Sequence, residues 1–516
     1  MISSGELNDG ATTIVAQYGE HKMMTSKFSQ RLSIGIALFV LMPTGHLVAQ
    51  QTYGHTDFQA TGSPAAHNIF LQGLLQLHNF EYADARASFQ AAQSEDPEFV
   101  MAYWGEALTH EHPLWSQHDP ESARAVLAKL GATPEQRVSR AQTEREKDYI
   151  RSVNALFGEG TQEERELAYA AALKALYEKY PDDLDAAALY ALSVLTTSHD
   201  GRDFAYYMRA GAITEDILAK NPRHPGALHY NIHSYDDPIH APLGLRAANV
   251  YAEVAPSAVH ALHMGSHIYY ALGMWEPGLE RNLRAFDEAV SRQPSPDSEY
   301  GNQAYHSLTW LVYGYAQHGM HTKAAEMLAL IEEQVKRYGG SAHRRNFINA
   351  RAGYVVDTQD WDGHFAMVKV DYDGLNPVTI ATDQYVHGVR ALKNGETQRA
   401  EDALAKIGGD KPSSSGSRRA MVPRLLHLGL AAQINLEAGR TEQGLRQLNE
   451  AVEFEASAPP EYGPAVPAQP MAELLGDVYL SLGDHARAKE AYQLSLASYV
   501  GRERSLQGLA EASQPH

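Results

Sequence analysis

The sequence predicts an all-α fold, a right-handed solenoid of helix pairs, on three observations. From about Ala66 onward Ala, Leu, Glu, Arg and Tyr recur at spacings of three and four, the period that lines up side chains along one helix face, and strand-like alternation is rare. Small and aromatic residues return in a register compatible with a two-helix unit of about 34 residues. Prolines sit where such units end, at Pro97, Pro222 and Pro256, the last two 34 residues apart.

The 516-residue chain opens with a segment that does not belong to this pattern. Lys27 and Arg31 precede the apolar run Leu32–Met42, and HLVAQQ follows, which is the order of a secretory signal. Residues 1–50 are therefore predicted to be a leader with a signal peptide, cleaved near Ala49 or Gln50, and the mature protein to be periplasmic or secreted. Met1–Lys22 look unlike a signal, so Met23 or Met24 is an alternative start. The apolar run is short for a bilayer span, and no later stretch is long and apolar enough for one.

Net charge is −20, with 63 acidic and 43 basic residues, which argues against nucleic acid as the main partner. The absence of cysteine excludes disulfides, thiolate metal sites and cysteine nucleophiles. The 25 histidines are clustered and are the informative residue type.

The repeat first shows at HNIFLQGLLQLHNFEYADARASFQAAQSEDP, with Gly73, Ala85, Phe89, Ala92 and Pro97. Its clearest copy is Leu475-Gly476-x-x-Tyr479 followed by Ala488-x-x-x-Tyr492. Weaker copies carry Val312, Tyr315, Ala324 and Leu328; Gly388, Ala391, Ala400 and Leu404; and Ala432, Leu448 and Ala451. Small residues let two helices approach and the aromatic fills the gap to the next pair. On these residues the chain resembles the tetratricopeptide repeat (TPR) family over most of its mature length.

Three interruptions are expected: His112–Gln142, the Pro/Ser loop Gln293–Gly301, and the flexible stretch Gly408–Arg419. A Pro-rich connection, Ala458–Pro470, separates two late helices. The predicted organisation is thus a solenoid over 51–407, a linker over 408–420 and further repeats over 421–516.

His224–Gly273 carries the candidate site. His229 and His233 form one HxxxH pair, and His263 and His267 form a second, 34 residues later. Residues four apart share a helix face, so each pair can chelate one ion. With repeats beginning near Pro225 and Val259, the pairs occupy the fifth and ninth positions of two successive first helices. The TPR resemblance implies a concave groove whose ligand-contacting positions also include His260, Asp236 and Asp237. His240 follows on the turn, and His199 sits just past the end of its helix beside Gly201 and Arg202, within reach of the groove. His306 opens a later helix.

The segment also resembles a bacterial group of exported TPR proteins carrying HPGAxHYxIH, DDPxHAPLGLRAA and HAxHMxSHI, matched here at His224–His233, Asp236–Ala248 and His260–Ile268. That resemblance implies a dedicated site and transfers no activity.

The expected ligands of a transition-metal ion are His229, His233, His263 and His267, with His199, Asp236, Asp237, His240 and His260 as further ligands or as groups that orient them. An imidazole set suits copper, zinc or iron, and a metal-dependent oxidoreductase is favoured over a hydrolase. HExxH is absent, and so are a Walker loop and GxGxxG. The alternative is a periplasmic scaffold whose groove takes a peptide or small molecule through histidine hydrogen bonds, without catalysis.

Overall fold

The computed structural model describes residues 52–115, 117–199, 201–295, 297–408, 418–459 and 461–514. The predicted leader lies outside them, as do residues 409–417 of the predicted linker. Among the described residues the chain is a succession of twenty-four helices, and the only strands are a two-residue hairpin, Glu111–His112 with Gln117–His118. Neighbouring helices in sequence pack on each other, and every second helix packs on the next of its kind. That is the all-α, helix-pair array of the TPR type.

The small and aromatic positions explain how the pairs close. Phe89 is fully buried, and a Cβ on Gly73 or Gly105 would meet its ring at 2.9 or 2.4 Å. One aromatic on a second helix is thus clasped between glycines of its own and the following first helix. Tyr492 repeats the arrangement between Gly476 and Gly508, where a Cβ would approach to 2.7 and 2.2 Å.

The interruption predicted at His112–Gln142 carries a hairpin and then two short helices, Pro120–Ala128 and Pro134–Arg140. Local signals account for it. Asp119 caps the first helix, Thr133 and Gln136 form a capping box on the second, and both begin with proline at the first turn. The described residues of the 293–301 segment, 293–295 and 297–301, are non-helical as expected, and 461–470 is an irregular strap before the helix Met471–Ser481. The helix Arg418–Glu437 starts inside the predicted linker, anchored by buried Arg418 on Glu455.

Three successive first helices matter for the site: Pro225–Tyr235, Val259–Ala271 and Asn302–Gln317. The first packs on the second and the second on the third.

Candidate metal centre

Each of the three helices presents a histidine at its fifth residue: His229, His263 and His306. The first two add one at the ninth, His233 and His267, and the second adds His260 one turn before His263. Helix stacking sorts these six into two triads. In the first, His229 Nε2 lies 3.1 Å from His233 Nε2 and 3.0 Å from His260 Nε2. In the second, His263 Nε2 lies 3.1 Å from His267 Nε2 and 2.9 Å from His306 Nε2. Metal–imidazole bonds of about 2.0–2.1 Å put neighbouring ligand nitrogens about 2.9–3.4 Å apart, so both triads have the span of three ligands on one ion.

The opposite ring nitrogens fix the tautomers. His229 Nδ1–H donates to the His78 carbonyl at 2.7 Å. His263 Nδ1–H donates to Asn282 Oδ1 at 2.7 Å, and that amide is oriented by its own bond to the Gly278 carbonyl at 2.9 Å. Asp236 Oδ2 takes His267 Nδ1–H at 2.9 Å and lies 3.4 Å from His233 Nδ1. With the proton on Nδ1, each Nε2 carries a bare lone pair. His229 and His233 therefore turn two acceptors on each other, and His263 and His267 do the same. Such an arrangement repels unless a cation sits between the nitrogens.

Protonation is a poor substitute. Burial, and then the nearby imidazoles, hold His229, His260 and His263 well below the ordinary histidine range. Burial also lowers His267, opposed by Asp236. Asp236 is fully buried, which raises its pKa; Arg202 at 2.6 Å, with His233 and His267, overcomes this and keeps it a carboxylate well below the usual range. One anion thus stands behind both triads, the carboxylate–histidine arrangement that orients metal ligands.

The four histidines of the two HxxxH pairs are brought together, and His260 joins them with its Nε2. His306 was not among the expected ligands. It lies 43 residues after His263, which is the 34-residue period plus the nine residues of the 293–301 loop, so discounting that insertion would have found it. Three expected neighbours belong elsewhere. His199 Nε2 is 2.6 Å from Glu166, in neither triad. His240 donates to Asp237, and Asp237 accepts the backbone N–H groups of Ile239 and His240, so both serve the turn after Tyr235. Asn282, Arg202 and His78 orient the site and carry no sequence signal of it.

The site is also not an open groove. His229, His233, His260, His263 and His267 are all buried, while His306 is exposed at the edge of the site with its Nε2 turned in to His263. Phe80 packs on the first triad, its ring 4.3 Å from His229 and 5.4 Å from His260. It is held there by a turn in which its own φ is +58°. Trp115, supplied by the hairpin insertion, adds an edge to His260. Tyr462, from the strap, stacks on His267 with ring centres 4.5 Å apart.

No family model and no curated protein matches the chain. Solved structures similar to it include an IFIT1 monomeric mutant with Gppp-AAAA (12% identity, 85% of this chain and 94% of that one, TM-score 0.40). Others are yeast Tom70 (10%, 87% and 88%, 0.32) and a tetratricopeptide repeat protein from Parabacteroides merdae (10%, 72% and 99%, 0.31). The class that fold and site together define is an all-α protein of stacked helix pairs with two histidine triads; the chemistry of those triads is argued from their own side chains.

Proposed function

We propose that the chain binds two transition-metal ions, one in each histidine triad, and that the pair of ions is a redox centre. The observation that carries this is the pair of Nε2–Nε2 contacts at 3.1 Å between imidazoles whose protons are committed to Nδ1. Neutral nitrogen ligands without thiolates suit copper, zinc or iron, and of these copper and iron would supply the redox chemistry. Redox chemistry is favoured over hydrolysis because, among the described residues, the one carboxylate paired with triad imidazoles, Asp236, is engaged behind them by Arg202 and two histidines, while buried Glu81 is held on the backbone N–H of His260. The covering side chains, Phe80, Trp115, Trp310 and Tyr462, are aromatic and supply no general base.

Elemental analysis of the purified protein tests it. Two ions per chain are expected, one of them lost in His229→Ala and the other in His263→Ala with the helical content kept. Protein that stays metal-free after incubation with copper, zinc and iron salts sinks the reading. The signal read at Leu32–Met42 supports placing this centre in the periplasm or outside the cell. Amino-terminal sequencing of exported protein should then begin near Gln50. The outward helix faces of such an array also suit a protein partner, a role that the metal-free His229→Ala/His263→Ala variant would retain.

A further inference from the structure

The strap 461–470 crosses the chain's interior site although it belongs to neither triad-bearing repeat. Its far half is tied down: the Val466 carbonyl accepts from Tyr499 Oη at 2.9 Å, and Gln469 donates to Glu473 at 3.2 Å. Its near half is not. Among the described residues, Glu461–Ala465 make no hydrogen bond, and they are half-exposed. What holds them is packing at two points. Tyr462 stacks on His267 at 23° and sets its edge toward His233, 6.4 Å away, so one phenol ring faces a ligand of each triad. Gly463, at φ +83°, lies so close to Trp310 that a Cβ there would meet the indole at 2.4 Å. Trp310 itself stacks on His267 at 4.7 Å.

A planar phenol is therefore already seated over the two triads, held by ring stacking and not by hydrogen bonds. We propose that Tyr462 occupies the place of a planar phenolic small molecule, and that the 461–465 half of the strap lifts to admit it. The ring is received by stacking on His267 and by an edge contact with His233, and these contacts are indifferent to what the ring is attached to. Burial pushes the Tyr462 phenol up, so it sits as a neutral ring. A competing free phenol has to displace it, and its apparent affinity is reduced by the fraction of molecules in which the strap is down. This rests on the two-ion reading for what the centre would do with the phenol, and not for the binding itself.

The test separates the two. Full-length wild type, Tyr462→Ala and Tyr462→Phe are titrated with p-cresol by calorimetry, metal-free and copper-loaded, with copper content measured independently. Tyr462→Ala should bind p-cresol about tenfold tighter or better than wild type. Tyr462→Phe should match wild type, because a ring still fills the place, and cyclohexanol should gain nothing. Should Tyr462→Ala fail to fold, Gly463→Ala lifts the same strap through its clash with Trp310. A folded open variant that binds p-cresol no better than wild type overturns the proposal, and so does an equal gain with cyclohexanol. Absence of copper from wild type removes the metal reading while the metal-free p-cresol arm still decides this one.

Discussion

Two interior polar clusters of this repeat array invite comparison, because the same kind of helix stacking builds both and they end in opposite electrostatic states. At the C-terminal end, buried Arg502 donates to Glu473 at 2.7 Å and to Asp357 at 2.6 Å. Ser505 and Gln317 donate to the remaining faces of those carboxylates at 2.7 and 2.8 Å. Every oxygen of Glu473 and Asp357 meets a donor supplied by the chain, and Arg502 keeps one buried nitrogen, Nη1, without a partner. The triads are the reverse. The Nδ1 protons of the four HxxxH histidines are spent on His78, Asn282 and Asp236, and what remains within each pair is acceptor facing acceptor. The repeat can thus bury polarity either as carboxylates satisfied by an arginine or as imidazoles whose inner nitrogens face one another, and proton placement on the outer ring nitrogens makes the difference.

The largest effect should come from opening the Arg502 network. Arg502→Met leaves two buried carboxylates without their cation and should cost about 3–5 kcal/mol in denaturant unfolding, with metal content per folded chain unchanged. Removing metal from the triads comes next. If chelation of a stoichiometrically loaded sample leaves its unfolding midpoint where it was, the triads are as self-sufficient as the Arg502 network and the contrast collapses; a loss of about 3–4 kcal/mol is expected for each ion present at some hundreds of times its dissociation constant.

Asp236→Asn tests the shared anion. It should weaken metal binding by about 10–100-fold, and because Asp236 touches a ligand in each triad, both ions should be affected. Acid should then separate the clusters further. In metal-free protein His229, His260 and His263 have folded pKa values depressed below the unfolded value of about 6.5, so below that pH the unfolded chain holds more protons. Stability should fall as pH falls, by up to about 1.4 kcal/mol per pH unit for each such histidine. Thermal melts between pH 7.5 and 5 that move the other way contradict the assignment. The smallest effect belongs to His199→Gln, outside both clusters: metal content unchanged and stability within about 0.5 kcal/mol, read by the same melts.

Much of this was legible in the chain. The helices beginning at Pro225 and Val259 follow from proline at or near their starts and from the 34-residue period, and helical geometry then places His229 with His233 and His263 with His267. The glycine–aromatic clasp around Phe89 and Tyr492 is legible for the same reason. The stretch 112–142 interrupts the repeat, and the helices inside it start at Asp119-Pro120 and Thr133-Pro134, local signals that lie outside the repeat register.

The sequence by itself determined the repeat, the helix faces and the two histidine pairs, since all of these depend on neighbours within a turn or two of one helix. Only the tertiary structure decided that six imidazoles form two triads, that Asp236 stands behind both while His199 and Asp237 do not join them, and that Tyr462 lies on top. Those outcomes depend on how three first helices stack and where the 293–301 loop and the 461–470 strap deliver the chain. Such contacts join residues from 31 to more than 190 positions apart, which local periodicity does not encode.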